Sequence, residues 1–415
     1  MRFLLVFSLC VSAFAQGSFN NDKLLQRDDV KKALAYIESS HEKTLVSQVT
    51  IAEIAAPTFH EGERAKYIAG EFRRLGLKNV EIDPQGNVLG WRPGASEDTF
   101  VLAAHLDISF AVGVNVKVRK EGPRWFGPGL GDDSRGLAAM IDIVEAMNLA
   151  NIKTRRTMLF LANVGEEGLG DLNGVRYLFQ KSPYKDRLKA FISLDGSDPG
   201  RIVNGGTGVK RYLISLKGPG GHSYGNFGRV NAIHTASRII DHLADMPVPA
   251  TPKTTFNVGR ITGGTTVNAI AEECSFEIDL RSEDLGILDK IELNLMEAVR
   301  LGVAEENKAR AASGTTITVE KKLVSNRPGG LTDELGPLAQ SAKWASTAMG
   351  FHPTFQYSST DSNIAIGMKI PALTMGGGGK GGDAHSLTEW FEPANAWKGP
   401  QTALLTLLSF DGSGK

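Results

Sequence analysis

The stretch Thr99-Phe100-Val101-Leu102-Ala103-Ala104-His105-Leu106-Asp107 decides the fold. Its first six residues carry no charge and are apolar at both odd and even positions. A strand with one wet face would alternate, so this one reads as covered on both sides. Working outward, Gly136 to Leu149 has helical character and Thr157 to Val164 is a second apolar strand. Gly174 to Phe179 reads as a helix and Ala190 to Leu194 as a third strand; Ile370 to Met375 supplies another core strand late in the chain. Apolar strands alternating with helices predict an α/β fold, a mostly parallel sheet flanked by helices. Upstream, Leu24 to Ala55 shows helical spacing at Val30, Leu34, Ile37 and Val46, and Gly62 to Leu75 reads as a helix stopped by Gly76.

The pattern changes at Gly205-Gly206-Thr207-Gly208. Val209 to Leu216, Thr254 to Ile261, Ala271 to Leu280 and Thr315 to Lys321 alternate as half-exposed strands. Asn231 to Met246 and Leu285 to Leu301 are amphipathic between them. Residues 208–322 are therefore expected to form a small α+β domain inserted into one α/β domain made of residues 16–207 and 323–415.

The 415 residues suffice for a large core and for more than one domain. Lys plus Arg equals Asp plus Glu at 46 each, which gives no bulk electrostatic reason to bind nucleic acid or an anionic membrane. Residues 1–15 read as a signal peptide. Arg2 is followed by an apolar run from Phe3 to Phe14, and Ala13-Phe14-Ala15 offers a small-x-small cleavage site before Gln16. The run is shorter than a spanning helix needs. A soluble protein, periplasmic or secreted, is expected. Cys274 is then the one remaining cysteine, and it reads as a small buried side chain.

Acidic and histidine residues recur where the predicted core strands end, the edge at which open α/β sheets bind ligands. His105 and Asp107 follow the first strand, Glu166 and Glu167 the second, and Asp195 the third. Asp132 and Asp133 precede the helix that starts at Gly136, and His385 lies in a glycine-rich loop after Met375. Any one of these residues alone is an ordinary turn. Converging carboxylates repel one another unless protons or cations lie among them. A mixed histidine and carboxylate set suits Zn²⁺, and two ions about 3.5–4 Å apart would need a bridging carboxylate.

These motifs resemble the co-catalytic zinc peptidase and deacylase family of peptidase T, carnosinase-like dipeptidases, acetylornithine deacetylase, succinyl-diaminopimelate desuccinylase and aminoacylase. The matching segments are His105-Leu106-Asp107, the run Gly127-Pro128-Gly129-Leu130-Gly131-Asp132-Asp133, Glu166-Glu167-Gly168, Asp195-Gly196, and His385 with Glu389. The resemblance implies a di-zinc exopeptidase-like fold whose inserted domain is a lid and dimerisation domain. It implies two Zn²⁺ per chain, with Co²⁺ or Mn²⁺ as substitutes. His105 and Asp195 would hold one ion, Glu167 and His385 the other, and Asp132 would bridge them. Asp107 would orient His105, and Glu166 would act as general base, taking a proton from the attacking water and returning it to the leaving amine. His222, in Gly218-Pro219-Gly220-Gly221-His222-Ser223, would reach a neighbouring active site in a homodimer. Asn268 and Arg281 would hold the carboxylate end of the substrate.

The substrate implied is a small peptide cut by an aminopeptidase or dipeptidase; an N-acyl amino acid cut by a deacylase is the alternative. A non-catalytic peptide- or metal-binding protein is a third reading. Two departures from the family pattern stand out. Arg135 follows the acidic pair, where it would alter charge preference or pair with an acid on the first turn of its helix. The loop Gly376 to Gly382 is rich enough in glycine to suggest loose substrate selection.

Overall fold

The computed structural model describes residues 21–412; the signal-peptide reading falls on residues outside that range. A nine-stranded sheet forms the main layer. Its centre is four parallel strands in the spatial order Arg156–Asn163, Ser96–His105, Leu188–Leu194 and Ala372–Met375. Lys78–Ile82 and Val88–Arg92 extend one edge, antiparallel. Arg201–Gly206, Gly330–Leu331 and Thr354–Ser358 complete the other.

Because successive side chains of a strand point to opposite faces, the continuous apolar runs supply two cores. Phe100, Leu102, Phe160, Ile192 and Leu373 pack under the helices Ser134–Leu149, Pro337–Ala348 and Lys398–Asp411. Val101, Ala103, Leu159, Leu161 and Phe191 face Asn173–Gln180 and Ser362–Gly367. Both faces are covered, as a double-sided apolar pattern requires.

Between Arg201–Gly206 and Gly330–Leu331 the chain builds a second, wholly antiparallel sheet, ordered Thr254–Gly263, Glu273–Ser282, Gly208–Lys217 and Thr318–Arg327. The helices Ala232–Ala244 and Leu285–Ala309 cover one face, and alternate residues of Glu273–Ser282 are only half-buried on the other. Asn231 and Asp284 start these helices with side-chain caps. The last strand runs through Arg327, five residues past the expected end at 322, because it keeps pairing with Gly208–Lys217 across a register shift near Ser325.

Other differences have local causes. The long helix expected over Leu24 to Ala55 is three: Asp22–Gln26, Asp28–Ser39 and His41–Ala52. Arg27 is extended, its guanidinium turned back onto Asp29, and Ser40 leaves helical ψ with its hydroxyl on Ile37 O and Asp142. A third small sheet of Lys380–Gly382, Trp390–Glu392, Arg124–Phe126 and Arg119–Glu121 has strands too short for a periodicity signal. Cys274 is buried and free. Among the described residues no helix is long and apolar enough to cross a membrane.

The helix Ser134–Leu149 also buries a carboxyl group. Asp142 Oδ1 accepts from Ser40 Oγ at 2.7 Å, while Oδ2 has no partner. Burial pushes this group up to about 6 from 3.8. A folded-state value above the unfolded one means the ionised form opposes folding. Stability therefore falls as pH rises from about 4 through about 6 and stays lowered above that. Asp142→Asn is expected to be more stable than the parent at about pH 8, by roughly 1–3 kcal/mol, with the gap closing towards about pH 4. Urea unfolding at the two pH values checks this; an Asn variant less stable at pH 8 would contradict it.

Candidate metal centre

The four parallel strands end on one edge, and their carboxyl ends deliver the acidic and histidine residues together. Ser96–His105 finishes on His105, Arg156–Asn163 leads to Glu166 and Glu167, and Leu188–Leu194 leads to Asp195. Asp133 caps the helix Ser134–Leu149, its Oδ1 accepting from Gly136 N at 3.0 Å. A Cβ on Gly136 would lie 2.3 Å from Asp133 Oδ1 and 2.5 Å from Leu194 O, so glycine lets the helix start against the sheet. His385 sits in the turn between Lys380–Gly382 and Trp390–Glu392, and thus the small third sheet holds it over the edge.

Asp132 lies between two histidines. His105 Nε2 is 2.9 Å from Oδ1 and His385 Nε2 is 3.1 Å from Oδ2. His385 Nε2 is also 2.8 Å from Glu167 Oε1. Donor atoms of His105, Asp132 and Asp195 lie within 4.8 Å of one another, as do those of Asp132, Glu167 and His385. A third such group joins His105, Glu166 and Glu167. The first two groups share Asp132, one of whose oxygens faces each side.

Burial pushes Glu166 and Glu167 above their usual range, and Asp195 up to about 6. Burial also acts on Asp132, but hydrogen bonds from His105 and His385 outweigh it and hold that group low. Hydrogen bonds to Asp132 and Glu167 raise His385 to about 11. Two nitrogen donors, several carboxylates and one carboxylate shared by two groups fit a pair of divalent metal ions.

A surrounding layer fixes these donors. Asp107 is wholly buried. It accepts from Thr58 Oγ1 at 2.9 Å, Glu166 N at 3.0 Å and Glu167 N at 2.9 Å, and its backbone oxygen lies 3.0 Å from His105 Nδ1. Glu389 accepts from the backbone of Gly129 and Gly131 at 2.8 Å and of Asp132 at 3.2 Å, and so holds the loop that presents Asp132. Glu61 accepts from Gly165 N at 3.1 Å.

The other three expected site residues make their hydrogen bonds elsewhere. His222 is exposed on the short strand Gly221–His222, and its Nδ1 accepts from Tyr224 N and Gly225 N. Asn268 O accepts from Ser223 N, and its Oδ1 accepts from Thr266 Oγ1. Arg281 Nε donates to Asp279 at 2.6 Å; the residue lines a cavity of about 440 Å³ with Lys253, Tyr357 and Ser359.

One expectation is corrected. Arg135 neither faces substrate nor pairs with an acid on the first turn. It is fully buried, donating to Gly377 O and Ala396 O at 2.7 Å each, so it staples the glycine loop to the chain's last segment. The glycine loop itself is closely packed. A Cβ on Gly376 would lie 2.5 Å from the backbone of Asp198, and one on Gly378 would lie 2.0 Å from Ala396 O; these glycines mark close backbone approach. Sequence reasoning missed Arg327, whose guanidinium lies 3.1 Å from Glu166 Oε1. Thr58 and Glu61 were missed as well. Only Glu389 had a signal, its spacing from His385.

Glu389→Ala is expected to weaken metal retention by roughly 10–100-fold, as loss of a supporting contact does, while the protein stays folded. Competition with a chromophoric chelator measures it; unchanged affinity would separate Glu389 from the site.

A family model described as a peptidase dimerisation domain matches residues 204–305, and one described as peptidase family M28 matches residues 87–208. The uncharacterized protein YqjE of Bacillus subtilis is 26% identical over 355 residues, 81% of this chain and 90% of its own length. Acetylornithine deacetylase of Vibrio campbellii is 25% identical over 61% of this chain and 69% of its own. Aminopeptidase PepT of Bacillus cereus shares the fold with a TM-score of 0.71 at 22% identity, over 89% of this chain and 98% of that one. Peptidase segments matched on both sides of the junction near residue 206 and a shared fold over nearly the whole length agree with the motifs at the strand ends. In its motifs, its matched segments and its fold the chain is similar to the metal-dependent peptidases and deacylases, among them peptidase T and acetylornithine deacetylase.

Proposed function

We propose that the protein is a two-zinc aminopeptidase or dipeptidase that hydrolyses amide bonds of short peptides, in the periplasm or after secretion. The observation that carries this reading is Asp132, shared by two three-donor groups with a histidine on each side. In this reading His105 and Asp195 hold one ion, Glu167 and His385 the other, and Asp132 both. Bound zinc supplies positive charge that polarises the scissile carbonyl and eases deprotonation of water near neutral pH.

The chain's own groups do the rest. Glu166 is buried beside the donor atoms, and Arg327 holds one of its carboxylate oxygens. It takes a proton from the attacking water and delivers it to the leaving nitrogen, so that an amine rather than an amide anion departs. Asp107 keeps His105 oriented and anchors the backbone of Glu166 and Glu167. His222 is exposed on a segment matched to a dimerisation domain, which supports its acting on the oxyanion in the active site of a partner copy. Arg281 and Asn268 would meet the carboxylate end of the peptide, where a planar guanidinium pairs bidentately. The apolar run and small-x-small site within residues 1–15 support export.

Relatives such as acetylornithine deacetylase favour a second reading, removal of an acyl group from an N-acyl amino acid with the same residues. Zinc-loaded protein incubated with di- and tripeptides and with N-acetyl and N-succinyl amino acids separates the two, products being read by mass spectrometry beside a chelator control. Chelator-sensitive cleavage of free-amine peptides is expected. Cleavage confined to acylated amino acids would replace the peptidase reading, and no cleavage with two ions bound would replace both by a binding role.

Glu166→Gln should keep two metal ions and lower kcat by roughly 10²–10⁴-fold; near-normal turnover would remove it as the base. Mixing inactive His222→Ala and Glu166→Gln proteins should restore part of the activity through hybrid dimers. No rescue under demonstrated subunit exchange would place His222 outside the partner's site.

A further inference from the structure

The loop that carries Glu166 and Glu167 is strained and is held from outside. Gly165, Gly168, Asp171 and Leu172 have φ values of 65°, 50°, 53° and 59°. Glycine adopts such values freely; aspartate and leucine do not, and they persist there only where the surroundings enforce it. Much of that enforcement comes from the second sheet. Arg327, the last residue of Thr318–Arg327, donates Nη2 to Glu166 O at 2.6 Å and Nη1 to Glu166 Oε1 at 3.1 Å and Ser359 Oγ at 3.0 Å. Arg211, on Gly208–Lys217, donates Nη1 to Gly168 O at 2.8 Å. Arg176 reaches the other way, from the helix after the loop to Asn326 O at 2.9 Å. Ser325 Oγ donates to Asp171 Oδ1.

We propose that Arg327 is a positioning residue for Glu166, which it grips by side chain and backbone at once, so that the seating of the second sheet sets the aim of the base. This rests on the reading of Glu166 as the general base. Arg327 is 4% exposed, and its guanidinium contacts are Glu166, Ser359 and, at 3.8 Å from Nε, Asp171. A buried cation with so few acceptors is committed to them. Its planar fork meets Glu166 Oε1 and Glu166 O together, which fixes both the carboxylate's rotamer and the peptide unit it hangs from. A lysine ammonium is a point charge on a flexible stem and lacks that fixed geometry. The clasp therefore joins two parts of the chain 161 residues apart in sequence.

The test compares Arg327→Met and Arg327→Lys with the parent, all as full-length protein. The readouts are bound metal, steady-state kinetics on whichever amide the parent cleaves, and hydrogen exchange of the 166 and 167 amides with and without metal. In Arg327→Met, kcat is expected to fall on the order of 100-fold, the effect of a misaimed catalytic group. KM should stay within about threefold and both metal ions should remain bound, since the orienting interaction rather than substrate affinity is removed. The two amides, which donate to Asp107, should exchange faster. Arg327→Lys should recover part of kcat. A rise in KM with kcat kept would overturn the proposal by making Arg327 a substrate contact, and so would turnover lost only in step with metal. Should Arg327→Met fail to fold, Arg327→Lys decides, and parent-like kcat with parent-like exchange overturns the proposal. If the parent cleaves no amide, the assignment of activity fails separately; unchanged exchange at 166 and 167 in the variants would then overturn the positioning role by itself.

Discussion

Asp107 has no exposed surface, yet it collects hydrogen bonds from Thr58 and from the backbone of Glu166 and Glu167, beside the ring of His105. An ionised carboxylate closed off from water is stable only where donors and cations surround it. Here they come from separate places in the chain. Arg64, also fully buried, spends its guanidinium on the carbonyls of Ile54, Leu106 and Ala52, where its charge favours Asp107 and Asp133. His105 and His385 serve Asp132, and Arg327 serves Glu166. The packing at this end of the sheet follows from the need to hold several acids close together without letting them repel one another apart.

Seen this way, the strand ends, the close glycines and the small third sheet answer one requirement. The parallel strands bring four chain segments to one edge, and Gly136 lets a helix begin against the carbonyl of Leu194. The third sheet carries His385 back over that edge, and Arg135 pins its approach to Ala396. Each device restricts the backbone where a side chain must be placed to within tenths of an ångström.

Much of this was legible in the sequence because it rests on strong local signals. Unbroken apolar runs identify double-covered strands, and an acid or histidine directly after such a run marks the ligand edge. The α/β class, the inserted α+β segment and the gathering of His105, Glu166, Glu167 and Asp195 at strand ends were readable in this way, whereas the choice of His105, Asp132, Glu167, Asp195 and His385 as donors came from the resemblance to the zinc peptidases and deacylases. What could not be read depends on contacts between distant segments. Arg327 sits in an alternating, half-exposed strand and looks like any surface arginine until Glu166 folds against it. Arg135 looked like a charge beside the substrate because nothing local shows that Gly377 and Ala396 close over it. The breaks at Arg27 and Ser40 turn on a guanidinium and a hydroxyl choosing Asp29 and Asp142 over continued helix. The strands of the third sheet span three residues each, below the length at which a period can be counted.

One feature of the main sheet bears on how the molecule comes into being. Ala372–Met375 is an interior strand, set between Leu188–Leu194 and Arg201–Gly206, although it belongs to the last tenth or so of the chain. During synthesis its slot must wait, exposing the apolar flanks of both neighbours, until nearly all of the polypeptide has left the ribosome. His385 follows that strand, so the donor set closes only at the same late moment. A chain threaded outward through a membrane in extended form would arrive with its donors still scattered, and would take up its ions from the compartment in which it finishes folding.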